Sequence, residues 1–238
     1  MTLQTPTNDP GAPGDLRMVQ DFLNTPRSEP TQAELAMADA IRADGDLGVP
    51  QATLAAQHGV SRQLVSAILR RKRLVARPAS LGTPEASRFS LVGLGLMDAS
   101  SGPLAEAEYL RVLEVHRLLL ALALANNTGQ LSAETVQGLN ALADSAPVRV
   151  QFDAEGRSVL QPSACGAGEA IARLLAIVHD SMRDGTWYRL KVCPADRCEA
   201  AFYDTSRNRS ATWCSMAICG NRAKVSSYQR RRRSTRPG

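Results

Sequence analysis

The sequence predicts a mainly α-helical body with one small β-hairpin, followed by a C-terminal unit built on four cysteines. Three observations lead there. Apolar residues recur at helical spacing through most of the first 185 positions. One pair of short alternating runs, residues 148–152 and 158–162, flanks the turn-forming Asp153-Ala154-Glu155-Gly156-Arg157. Four of the five cysteines fall within residues 193–219.

Residues 1–14 are polar and rich in proline and glycine, and read as a disordered leader. A short helix follows, with Val19, Phe22 and Leu23 on one side. Residues 31–73 read as three helices, at 31–43, 51–58 and 61–72. Residues 77–103 hold Pro78, Pro84 and Pro103 and read as linker and turns around one apolar strand, Phe89 to Leu96. Apolar positions cover more than half the circumference of a helix at 104–125, which places it in the core. Its Glu114, His116 and Arg117 are expected on the solvated remainder. Ser132 caps a helix at 132–143 that turns Val136, Leu139 and Leu142 inward. After the hairpin, a long helix at 168–184 carries Ile171, Leu174, Leu175, Val178 and Met182 on one stripe. Residues 186–192 then lead as a strand into Cys193.

Composition excludes several classes. The longest uncharged apolar run, Leu118 to Ala125, is eight residues, against about 20 for a membrane-spanning helix. The N-terminus lacks the basic start and apolar core of a signal peptide, so a cytoplasmic protein without a membrane partner is expected. Aromatics make up 4% of the chain, too few for a base-stacking surface. No phosphate loop or nucleophile motif is present, and the three histidines lie far apart, so no enzyme activity is expected. The net charge of +5 is unevenly placed. Residues 205–238 carry nine Arg/Lys and no acid, and residues 47–84 carry six and no acid. The rest holds 13 basic against 23 acidic residues. An acidic body with two basic islands is the footprint of a protein that meets a polyanion at two places.

Cys193 and Cys198 form one pair, Cys214 and Cys219 a second, with four residues inside each pair and fifteen between them. Four thiolates close a tetrahedral shell around Zn²⁺ and leave no position for water, which makes the site structural. Disulfides are the alternative use of these residues, but nothing here resembles a secreted chain. Cys165 has no partner by spacing and reads as a free thiol. Cys214 and Cys219 lie about 500° apart on a helix, so one of them must sit at or before a helix start. The basic helix is then expected to begin near Asn221.

Cys219-Gly220-Asn221-Arg222 resembles the tetrapeptide that names the CGNR zinc finger of bacterial proteins. Phe202, Asp204, Ser206-Arg207-Asn208 and Trp213-Cys214-Ser215-Met216 support the likeness. The resemblance implies zinc ligands at Cys193, Cys198, Cys214 and Cys219. It also implies a preceding ABATE domain, a stress-linked regulatory module, in a transcription regulator. Asp21 to Thr25 resembles the opening of ABATE domains, and residues 104–143 resemble their helical middle. The resulting division is a leader at 1–14, an ABATE-like body at 15–185 and the finger with its basic helix at 186–238.

The expected partner is DNA, gripped by Arg207, Arg209, Arg222, Lys224 and Arg230, Arg231, Arg232 and Arg233. Arg222 has two readings, a base-edge contact or a brace on the backbone of the zinc loop. A second DNA site is expected within 31–73, since Gln51 to Arg70 resembles the helix-turn-helix of bacterial repressors. There Arg62, Gln63 and Ser66 would face the groove, and Arg70, Arg71, Lys72 and Arg73 the phosphates. A buried alanine-rich hairpin is the alternative for that segment. RNA binding, or a protein-interaction role with zinc as a folding staple, stays open beside DNA. So do a small-molecule ligand in the body and a homodimer.

Overall fold

The computed structural model describes residues 11–28, 32–58, 65, 69, 80–195 and 198–234. Helix α1 spans Leu16–Leu23 and buries Leu16, Val19, Phe22 and Leu23 along one side. Helices α2 (Gln32–Asp46) and α3 (Gln51–Gln57) form a small core of their own. In it Ile41, Leu54, Ala55 and Val65 are buried, with Met37, Val49 and Leu69 against them. Ala55 and Val65 thus share one buried cluster. Arg62, Gln63, Ser66, Arg70, Arg71, Lys72 and Arg73 lie outside the described residues.

Residues 89–93 of the expected strand, with 84–88 of the expected linker, form helix α4, Pro84–Gly93, and residues 94–96 lie in turns. Local chemistry explains the correction. The Thr83 hydroxyl accepts from the Ala86 amide at 3.2 Å, Pro84 takes the first helical position and Glu85 follows. Together these make a helix start that outweighs the short apolar run behind it. Helix α5 (Glu106–Thr128) is the central element. The Glu108 carboxylate accepts from the Ala105 amide at 3.0 Å, and Gly129 ends the helix at φ 71°, where glycine is favoured. Helix α6 (Ala133–Ser145) starts on the Ser132 hydroxyl, which accepts from the Thr135 amide at 3.1 Å. Here Thr135 and Leu142 turn inward, whereas Val136 is 41% exposed, one position off the expected stripe.

Strands β1 (Val148–Phe152) and β2 (Ser158–Pro162) form the expected antiparallel hairpin, with Val150 opposite Leu160. Helix α7 (Ala167–Arg183) buries Ile171, Leu174 and Val178, with Leu175 and Met182 beside them. A 3₁₀ turn at Trp187–Arg189 leads into β3 (Leu190–Val192), which pairs antiparallel with β4 (Ala201–Tyr203). Trp187, Leu190, Val192 and Ala201 lie in the same core as α1, α5 and α7. The first half of the expected finger is thus packed as part of the body.

His116 departs from the expectation of a solvated surface: it is 2% exposed. Its Nε2 lies 3.2 Å from the Leu23 carbonyl, and its ring meets Phe22 edge-on at 5.2 Å. A carbonyl can only accept, so Nε2 carries the proton, and among the described residues Nδ1 is a buried nitrogen with no donor. Burial, then the nearby Arg27 charge, pulls the imidazole pKa down from 6.5 to about 4. The folded chain therefore favours the neutral ring. Its stabilising share is full above 6.5 and is lost as pH falls through about 4. That share is about 3 kcal/mol. Urea unfolding should accordingly show a loss of stability between pH 6.5 and 4 that is clearly smaller in His116→Gln. Equal acid limbs in the two proteins would contradict the assignment.

Candidate metal centre

β3 and β4 bring the first cysteine pair into place. The Cys193 amide donates to the Ala200 carbonyl at 2.9 Å, extending the ladder one step past β3, and the Cys198 amide donates to the Ala195 carbonyl. The second pair comes from a loop and a single π-helical turn, Met216–Gly220. Amides of Cys219 and Gly220 both donate to the Ser215 carbonyl, at 2.9 and 3.1 Å. Helix α8 (Asn221–Ser234) starts directly after this turn. Cys214 thus precedes the turn and Cys219 sits in it, as their angular separation requires.

The four sulfurs lie within 4.8 Å of one another. Cys198 to Cys214 is 3.6 Å, and Cys214 to Cys219 and Cys219 to Cys198 are 3.7 Å. A regular tetrahedron with Zn–S bonds of about 2.3 Å has an edge of about 3.8 Å. Sulfur spacing, donor type and donor count all fit structural Zn²⁺. Cys193, Cys198 and Cys219 are buried and Cys214 is half-buried. Cys165 is exposed and lies outside the group.

The thiols also show why a cation is needed. Hydrogen bonds from Cys198 and Cys214 draw the Cys193 pKa down to about 2. The bond to Cys193 pushes Cys198 up to about 12, and bonds to Cys193 and Cys198 push Cys214 upward as well. One thiolate forms readily and resists the next, since like charges cannot share so small a volume. A divalent cation reverses that order and makes all four ligands anionic.

Beside the cysteines lies a feature absent from the sequence reading. Lys191 is 4% exposed and Asp204 1%. The Lys191 ammonium donates to Asp204 Oδ2 at 2.7 Å, to the Arg209 carbonyl at 2.7 Å and to the Ala211 carbonyl at 3.0 Å. Asp204 in turn accepts from the Ser206 amide and hydroxyl and from the Ala211 amide. Its carboxyl is held below the usual carboxylate range: desolvation opposes this, and the Lys191 and Ser206 hydrogen bonds outweigh it. Arg189 adds bonds to the Asp204 and Ser206 carbonyls at 2.9 and 2.8 Å. Loop 204–211 is therefore folded around one buried ion pair. Its Arg207 and Arg209 point outward and are exposed, with Arg209 in the left-handed region at φ 52°.

Arg222 and Lys224 are also exposed, in the first turn of α8. Arg222 makes no hydrogen bond among the described residues. Its neighbour Asn221 does: the Asn221 Nδ2 donates to the Ala217 carbonyl at 3.1 Å. Gly220 packs against the Trp213 ring and the Met216 sulfur, where a Cβ would collide. Arg230, Arg231, Arg232 and Arg233 lie on α8, and their side chains are outside the described residues. Phe202 and Trp213 pack in the small cluster around the cysteines, while Tyr203 packs on the main core.

Residues 189–232 match the family model of the CGNR zinc finger. No curated protein matches the chain. No helix among the described residues is long and apolar enough to cross a membrane.

Two outcomes follow from the geometry. Native mass spectrometry of reduced protein should show one zinc per chain, lost in Cys214→Ser. Lys191→Met leaves Asp204 buried and unpaired, which should lower stability by about 3–5 kcal/mol in denaturant titration. A loss below about 1 kcal/mol would mean that water reaches the pair.

Proposed function

We propose that the chain is a DNA-binding transcription regulator in which a structural zinc site holds up a basic surface and residues 15–185 act as its regulatory domain. The observation that carries this reading is the exposure of Arg207, Arg209, Arg222 and Lys224 on the two segments that adjoin the cysteines. None of them forms an ion pair among the described residues, and residues 205–238 hold no acid. Guanidinium and ammonium groups kept free of carboxylates suit phosphate oxygens. Zn²⁺, when bound, supplies cross-linking between the β3–β4 loop and the start of α8. The chain's own residues do the rest. Lys191 and Asp204 fix the loop that bears Arg207 and Arg209, and Asn221 fixes the turn from which Arg222 and Lys224 project.

Arg230 to Arg233 extend the same charge along α8. The second basic island, residues 47–84, adds a further contact in this proposal. If six to nine phosphates are neutralised, log K should fall with log salt at a slope near −5 to −8. Replacing Arg222 and Lys224 together by alanine should flatten the slope by about 2. Competition between duplex DNA and duplex RNA at fixed salt identifies the polymer. A slope shallower than about −2 for the intact chain, or preference for RNA, would overturn the DNA reading.

A further inference from the structure

The β3–β4 hairpin has only two strands, so both of its outer edges expose backbone groups that need partners. Among the described residues, the edge bonds that tie it to the body come from side-chain carboxamides, including a long one of 3.4 Å from Gln20 Nε2 to the Ala201 carbonyl. On the β4 side, Asn24, the residue that ends α1, pairs with Ala201 in both directions. Its Nδ2 donates to the Ala201 carbonyl at 2.9 Å, and its Oδ1 accepts from the Ala201 amide at 2.9 Å. On the β3 side, two successive residues in the last turn of α5 act. Asn126 Nδ2 donates to the Trp187 and Leu190 carbonyls, both at 2.9 Å. Asn127 Nδ2 donates to the Val192 carbonyl at 3.1 Å and to the Thr212 carbonyl at 2.8 Å.

Asn127 differs from the others in what it joins. The Val192 carbonyl belongs to the peptide unit that carries the Cys193 amide. The Thr212 carbonyl lies one peptide unit short of Cys214. One carboxamide from the body therefore spans the two chain segments that deliver the two cysteine pairs. These segments are far apart in sequence, and β3–β4 pairing orders only the first of them. Among the described residues, Thr212 is tied to the body by this bond alone.

We propose that Asn127 is a positioning residue of the metal centre, contributed by the helical body, which holds the two cysteine segments in register so that body and finger bind zinc together. The proposal rests on the zinc assignment and not on nucleic-acid binding. Residues that orient ligands without touching the metal commonly change its affinity by about 10- to 100-fold. Coupling of this kind is reciprocal: if α5 strengthens zinc binding, zinc must strengthen the end of α5.

Asn127→Asp keeps the shape of the side chain but replaces the donor with oxygens that repel both carbonyls. Asn24→Ala is the comparison, since it weakens docking of β4 but bonds to neither the Val192 nor the Thr212 carbonyl and so bridges no second segment. In the intact reduced chain, titration with a chromophoric zinc chelator should show about 10- to 100-fold weaker zinc binding in Asn127→Asp. Asn24→Ala should stay within about threefold of the unmodified chain. Equal losses in both variants, or none in Asn127→Asp, would overturn the proposal and leave Asn127 as ordinary packing. If Asn127→Asp does not fold, the unmodified chain still decides. Amide exchange across residues 124–129 should quicken when zinc is stripped, and unchanged protection there would equally overturn it. An unmodified chain that takes up no zinc would defeat the zinc assignment itself, a distinct result.

Discussion

Four thiols within 4.8 Å of one another cannot all ionise unless a cation balances them. That constraint governs residues 193–234. The segment from Thr205 to the start of α8 has little apolar surface to bury, and only Ala211, Trp213, Cys214 and Ile218 from it pack on the small core around Cys219. Metal binding supplies the free energy that such a unit lacks. Arg207 and Arg209 are exposed on the loop folded around the buried Lys191–Asp204 pair, and Arg222 and Lys224 are exposed in the helical turn that follows Cys219.

Much of this was legible in the sequence, because strong local signals survive folding. The cysteine spacing gave the ligand set, and the impossibility of placing Cys214 and Cys219 on one helical face located the start of α8 correctly. Helices with a regular apolar stripe, such as α5 and α7, were found within three residues at each end. The miss at α4 has a plain cause: Phe89 to Leu96 is apolar enough for a strand, but Thr83, Pro84 and Glu85 set the helix before that run begins. His116 was misplaced because helical spacing alone cannot say how wide the buried face is. In α5 neighbours pack over so much of the circumference that a polar ring was enclosed.

Lys191 and the carboxamides were invisible for a different reason. A lysine one residue from a valine in a short strand reads as an alternating solvent-facing position. What buries it is loop 204–211 folding back over it, a long-range event with no local periodicity. Asn24, Asn126 and Asn127 look like helix-ending residues, and Asn24 does end its helix. Their second role appears only when a two-stranded hairpin with unsatisfied edges arrives beside them.

This arrangement bears on how the helical body and the finger are coupled. A finger tethered by a flexible linker can be moved but not changed from within. Here β3 and β4 share the core of α1, α5 and α7, while the second cysteine pair and α8 are joined to that core by the sulfurs, the ion-pair loop and the Asn127 bridge. The first cysteine pair thus follows strands packed in the body's core, while the second adjoins it through the ion-pair loop and the Asn127 bridge. A small displacement of the α5 terminus would move the Thr212 segment relative to β3 and strain the tetrahedron, since sulfur positions tolerate only tenths of an ångström. The basic loop is bonded to Lys191 of β3, so the strand that leads into Cys193 also orders the segment that bears Arg207 and Arg209. Zinc in such a design fixes the fold of the finger and also sets how stiffly the finger is joined to the body.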